Sequence, residues 1–159
     1  MCSSDLGTSI YTTSGDSSAN ESFYFAKADT TTTTSVTPTT GTYGAWVTET
    51  ITVTGAASDG SGGRVDPTGA TILTYCWDAS TFSNLTGPCT LPIGSYDVTT
   101  GVSATDGIAT ATIGWRPPKA GYYRLHAAFT GTDGYSTSGD SGANEQFFLA
   151  KADTTTTTS

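Results

Sequence analysis

A chain of 159 residues with net charge −8, a pI near 4.2 and only 13% charged residues carries no basic surface for a phosphate backbone, which argues against nucleic acid as a partner. No apolar run approaches the roughly 18 residues of a membrane span. An apolar fraction of 35%, with 11% aromatic residues in a Thr-, Ser- and Gly-rich background, predicts a soluble all-β protein and not a disordered one.

The chain opens with MCSSDL, a peptide that a sequencing-adapter oligonucleotide encodes in one frame, so residues 1–6 are expected to be non-biological. YTTSGDSSANESFYFAKADTTTTTS at 11–35 then returns as YSTSGDSGANEQFFLAKADTTTTTS at 135–159, offset by 124 residues with twenty of twenty-five positions identical. A repeat of this length is a tandem-domain signature. The expected organisation is one complete domain at 28–151. It is flanked by the C-terminal hairpin of a preceding unit at 7–27 and the start of a following unit at 152–159.

Within the unit, strand signals recur with period two between Gly, Pro and Asp clusters. TTTTTSVTPTTGTYG reads as an edge strand ending in turns, and WVTETITVTG as a strand with Val47, Ile51 and Val53 on one face. Glu49 interrupts that apolar face; because Glu is rarely fully buried, it is expected at a strand end open to water. AASDGSGGRVDPTG is a loop. GATILTYCWDAS is a strand with apolar residues on both faces, hence central. CTLPIGSYDVTTGVSATDG holds one or two short strands. GIATATIGW alternates Ala109, Ala111 and Ile113 against threonines, and the prolines of RPPKAG end it. GYYRLHAAFTG puts Tyr123, Leu125, Ala127 and Phe129 inward, and EQFFLAK pairs with it, Phe147 and Leu149 inward. About seven short strands predict a two-sheet sandwich.

Cys76 and Cys89 flank the turn-rich CWDASTFSNLTGPC, and a disulfide between them suits an exported, oxidising setting. A metal site would need more ligands than one histidine and these cysteines supply. Asp59, Asp66, Asp133, Asp140 and Glu145 are the candidate oxygen ligands for calcium, although their spacing fits no known calcium loop and solvated turns are the simpler reading. GDSG at 139–142 resembles a serine-protease nucleophile context, but the other copy reads GDSS and His126 is the single histidine, so no catalytic residue is assigned. Trp46, Trp115 and Tyr122 are the aromatics that a glycan could stack on. Neither Lys119 nor Lys151 is well placed for an isopeptide bond.

In order, KADTTTTTSVTPTTGTYG, WVTETITVTG, PTGATILTY, GIATATI, GYYRLHAAFTGTDGYSTS and the FFLAK strand resemble the bacterial immunoglobulin-like repeat domains found in tandem in large surface and secreted proteins. The resemblance spans residues 27–151. It implies an immunoglobulin-like Greek-key β-sandwich acting as a spacer or adhesive module, with no catalytic residues and no cofactor. Its expected partners are neighbouring repeats, and glycans or host cell surfaces in the adhesive case. An accessory domain of a secreted hydrolase is a further alternative. The insertion between Asp78 and Asp106 is the expected place for any specific recognition. β-Branched threonines favour extended backbone without a core, so the Thr run is expected to leave one unit and become the first strand of the next.

Overall fold

The structure, a computed structural model, describes residues 24–100, 106–140, 142 and 145–157. The expected adapter segment 1–6 and nearly all of the remnant 7–27 lie outside the described residues. Among the described residues nine strands follow one another: β1 Thr30–Thr37, β2 Thr40–Thr42, β3 Val47–Gly55, β4 Gly69–Asp78, β5 Leu91–Thr100, β6 Ile108–Trp115, β7 Gly121–Phe129, β8 Ser138–Asp140 and β9 Gln146–Ala150. A 3-10 turn, Phe82–Asn84, sits between β4 and β5.

These strands make an immunoglobulin-like sandwich. One sheet is β1-β3-β6 and the other β4-β7-β9-β2, with β8 added beside β7. Strand β5 belongs to both: Leu91 to Val98 pair with β4, while Thr99 and Thr100 pair with Thr110 and Ala109 of β6. The segment 91–100 is therefore one long strand, so ten residues of the insertion expected between Asp78 and Asp106 are sandwich framework. Among the described residues all strand–strand pairings are antiparallel except β2 with β9, where Thr40, Gly41 and Thr42 run beside Phe148, Leu149 and Ala150. Pro38 lies between β1 and β2, where the chain passes from one sheet to the other; a residue with no N–H to give suits a break between ladders.

Strict alternation sets which faces meet. Strands β3 and β7 alternate buried and half-buried residues along their whole lengths, so Ile51, Val53, Tyr123, Leu125, Ala127 and Phe129 point between the sheets, joined by Leu73, Val98, Ala109, Phe147 and Leu149. Each large side chain of this set stabilises by about 1.5–3 kcal/mol through burial alone. Strand β4 is central, as expected, but its outer Ile72 is 45% exposed.

Tyr123 fixes the turn before β7. Its ring stacks on Phe147 at 4.9 Å between centroids. Its hydroxyl donates to the Lys119 carbonyl at 2.7 Å and accepts from the Lys119 N–H at 3.1 Å. A tyrosine reaching back to backbone a few residues upstream at this corner is a hallmark of immunoglobulin-like sandwiches. Gly121 beside it has φ +137, and a Cβ there would lie 2.6 Å from the Asp78 carbonyl, so only glycine suits the position.

Cys76 of β4 and Cys89 are disulfide-bonded. The Cys89 Sγ lies 3.4 Å from the Arg124 carbonyl oxygen, and the bond pins the segment before β5 against the outer face of β7.

Two outcomes are expected. Tyr123→Phe strands the Lys119 backbone groups and lowers stability by about 1–3 kcal/mol in urea unfolding. Replacing both Cys76 and Cys89 by Ser costs about 3 kcal/mol in oxidising buffer, and the difference from the wild type disappears when calorimetry is run with reductant.

Candidate functional site: a buried acid cluster between the first and last strands

Strand β1 pairs with β3 along one edge, and its other edge faces β8 across the gap between the sheets. Because β1 alternates, Thr32, Thr34 and Val36 are buried. Thr30 and these inward threonines meet the residues around β8 through side chains. Thr30 Oγ1 donates to the Ser136 carbonyl at 3.0 Å and lies 2.8 Å from Ser138 Oγ. Thr32 Oγ1 and Ser138 Oγ share a hydrogen bond of 2.7 Å. The Thr34 N–H donates to Asp140 Oδ2 at 3.1 Å, with Thr34 Oγ1 at the same distance from that oxygen. Thr34 Oγ1 also contacts Glu145 Oε1.

Asp140 is held from both sides. Its Oδ1 accepts from the Gly142 N–H at 3.0 Å, and its carbonyl oxygen lies 2.8 Å from His126 Nδ1. Glu145, immediately before β9, is fully buried. Its own N–H donates to the Gly142 carbonyl at 3.3 Å.

Glu49 completes the cluster. It sits opposite Val36 of β1 and Ile113 of β6 and is 1% exposed, which corrects the expectation of a strand end open to water. The correction follows from the alternation itself: Val47, Glu49, Ile51 and Val53 share one face, and that face is the core. Both Glu49 carboxyl oxygens and Glu145 Oε2 are buried without a hydrogen-bond partner. An ionised carboxylate in such surroundings is costly, so both groups hold their protons. Burial first, then the charge of Asp140, pushes Glu49 up to about 8. Burial, opposed by the Thr34 hydrogen bond and reinforced by Asp140 and Glu49, pushes Glu145 up to about 8 as well, with Arg124 pulling the other way. The site is thus a hydroxyl set among one Asp and two neutral carboxylic acids.

The five candidate calcium ligands do not converge. Asp140 and Glu145 lie in this cluster. Asp59 folds its own loop at one end of the domain, its Oδ1 accepting from Ser61 and Gly63 N–H at 2.8 and 2.9 Å; these bonds hold its carboxyl below the usual range. Asp66 is buried and accepts from the Gly107 N–H at 2.9 Å, and Asp133 is exposed in the β7–β8 loop. Among the described residues no group of three or more His, Cys, Asp or Glu side chains is arranged to hold a metal.

The three candidate aromatics also separate. Trp115 packs against the core, its ring 4.9 Å from Tyr75 and 5.7 Å from Tyr123. Tyr122 lies between Phe82 and Phe148 at 4.8 and 4.6 Å. Trp46 is 60% exposed, with the Arg116 guanidinium 5.0 Å from its ring centroid. An open cleft of about 280 Å³ lined by Thr86, Gly87, Pro88, Cys89, Arg124 and His126 is at the lower limit for a small-molecule site. Arg124 reaches across it to the Gly87 carbonyl.

Neither a family model nor a curated protein sequence matches the chain. Among solved structures, the CARDB domain of a Pyrococcus furiosus protein, crystallised in complex with di-metal ions, superposes with a TM-score of 0.48 at 12% identity, over 82% of this chain and 100% of that one.

Between about pH 4.5 and 8 the native protein binds protons at Glu49 that the unfolded chain has released. The contribution of Glu49 to stability is therefore fully present below that window and is lost as pH rises through it, by about 1.4 kcal/mol per pH unit for each such proton. Glu49→Gln is expected to reduce the slope by one proton in urea titrations run across the window.

Proposed function

We propose that residues 28–151 are one unit of a head-to-tail tandem stalk in an exported protein, serving as a spacer and not as an enzyme. The observation that carries this reading is the shortness of the junction. Ala150, the last residue of β9, gives its carbonyl to the Tyr43 N–H at 2.8 Å. Ala152 is the repeat counterpart of Ala28, and Ala28 is docked: its N–H donates to the Gly134 carbonyl and its own carbonyl accepts from Ser136 N–H, both at 2.9 Å. If the following unit uses Ala152 as this one uses Ala28, Lys151 is the single undocked residue between two sandwiches. One free residue leaves little room for independent motion.

The two ends of the sandwich support the same arrangement. The entry end, where β1 starts and β3 and β7 finish, carries Asp29, Asp59, Asp106 and Asp133 with Arg64. The exit end, where β6 and β9 finish, carries Arg116 and Lys119, with Asp78 and with the exposed rings of Tyr43 and Trp46. Successive units would thus meet with opposite charge and an aromatic patch, an arrangement that fixes register. Trp46 and Tyr43 serve a glycan-binding role less well, since neither Trp115 nor Tyr122 joins them on one face. The disulfide is consistent with an oxidising compartment. Among the described residues no helix is long and apolar enough to cross a membrane.

Small-angle scattering on chains of one, two and three repeats of 28–151 tests the reading. The maximum dimension is expected to grow in equal steps. A compact or freely flexing three-unit particle would overturn it.

A further inference from the structure

The acid cluster holds more chemistry than a spacer needs. We propose that Thr34 and Glu145 condense to an intramolecular ester that ties the first strand of the unit to the start of the last. The Thr34 hydroxyl touches the Glu145 carboxyl, and Asp140 Oδ2 stands 3.1 Å from the same hydroxyl oxygen. Glu145 is fully buried with its Oε2 left without a hydrogen-bond partner, and Glu49 is fully buried with neither carboxyl oxygen partnered. Buried acids left unpartnered are costly for a core to retain for packing alone.

The step balances without an outside reagent. Thr34 Oγ1 attacks the Glu145 carboxyl carbon while Asp140 takes the hydroxyl proton. Asp140 then returns that proton to the departing hydroxyl of Glu145, which leaves as water. The net change is hydroxyl plus carboxylic acid to ester plus one water. In solution, ionisation of the acid and the excess of water oppose this condensation. Here the acid is held neutral by burial, and a preset hydroxyl–acid pair reacts at an effective molarity on the order of 10⁵ M or more. A general base and acid of the kind that Asp140 provides assists such transfers.

The sequence repeat keeps the same residues. Asp16, Glu21 and Thr158 are the counterparts of Asp140, Glu145 and Thr34 and are unchanged, whereas Ser22 stands in place of Gln146 and Ser18 in place of Gly142. The bond itself does not depend on the tandem reading, but its consequence does. Tension entering at Ala28 and leaving at Lys151 would run through residues 28–34, the ester and residues 145–151, bypassing the rest of the sandwich. In the linked chain Glu145 has no proton to lose, so Glu49 alone carries the pH dependence described above.

Peptide mapping of the full 159-residue chain, reduced and denatured after refolding at several values between about pH 5 and 9, tests the proposal. Trypsin cuts after Lys27, Arg64, Arg124 and Lys151, so Thr34 and Glu145 fall in peptides 28–64 and 125–151. The expected product is these two peptides joined, lighter than their sum by one water, with fragment ions placing the link at Thr34 and Glu145. Thr34→Val is expected to release them. Separate peptides of full mass at every pH would overturn the proposal, whether or not the variant folds. So would a loss of water that maps to the Asp-Gly pairs at 59–60, 106–107 or 133–134, where succinimide formation gives the same mass change.

Discussion

A two-sheet sandwich is open along its flanks, and in this protein the flank between β1 and β8 is closed by hydroxyl groups instead of backbone pairing. Alternate threonines of β1 meet Ser136, Ser138, Asp140 and Glu145 in succession. The backbone of β1 is already engaged on its other side by β3. A threonine suits both demands, since its β-branch favours extended backbone and its hydroxyl both donates and accepts. The sequence that looks featureless as a string is therefore a fastener once every second residue faces inward.

The acid cluster follows from that closure. With β8 drawn onto β1, Asp140 at its end and Glu145 just before β9 reach the gap, and β3 supplies Glu49. Three carboxyl groups so close in a medium of low polarity cannot all ionise, and the two most buried remain acids. A neutral acid is both a hydrogen-bond donor and an electrophile, whereas a carboxylate is neither. The same burial that costs stability at high pH thus gives the site its chemistry.

The ends of the molecule obey a different constraint. Residues 28–29 are fixed to their own unit by backbone hydrogen bonds to Gly134, Ser136 and Ala56, and β9 is fixed to β2 and β7 up to Ala150. Entry and exit lie at opposite poles with opposite charge character. Stiffness in such a chain would arise from how little backbone is left undocked, and not from any rigidity of the threonines themselves. The second copy is consistent with this: residues 154–157, which repeat Thr30–Thr33 at the start of β1, are exposed and form no strand.

Period-two alternation in residues 47–55, 108–115 and 121–129 determined the strands, their inward faces and the sandwich, because a strand has only two faces and apolar side chains select one. The cysteine pair and the 124-residue repeat were equally plain in the letters. The same alternation carried Glu49 inward, but its residue type argued for water, and only the packing of β1 and β6 on either side of it decided between them. Asp140, Glu145 and Thr34 are 106 and 111 residues apart in pairs that no local pattern links. Their meeting depends on β8 docking against the flank of β1, a long-range contact made when the two sheets close on each other. Tertiary structure alone could bring a hydroxyl and two buried acids into one cluster, because sequence fixes the face on which a side chain lies but not what lies across from it.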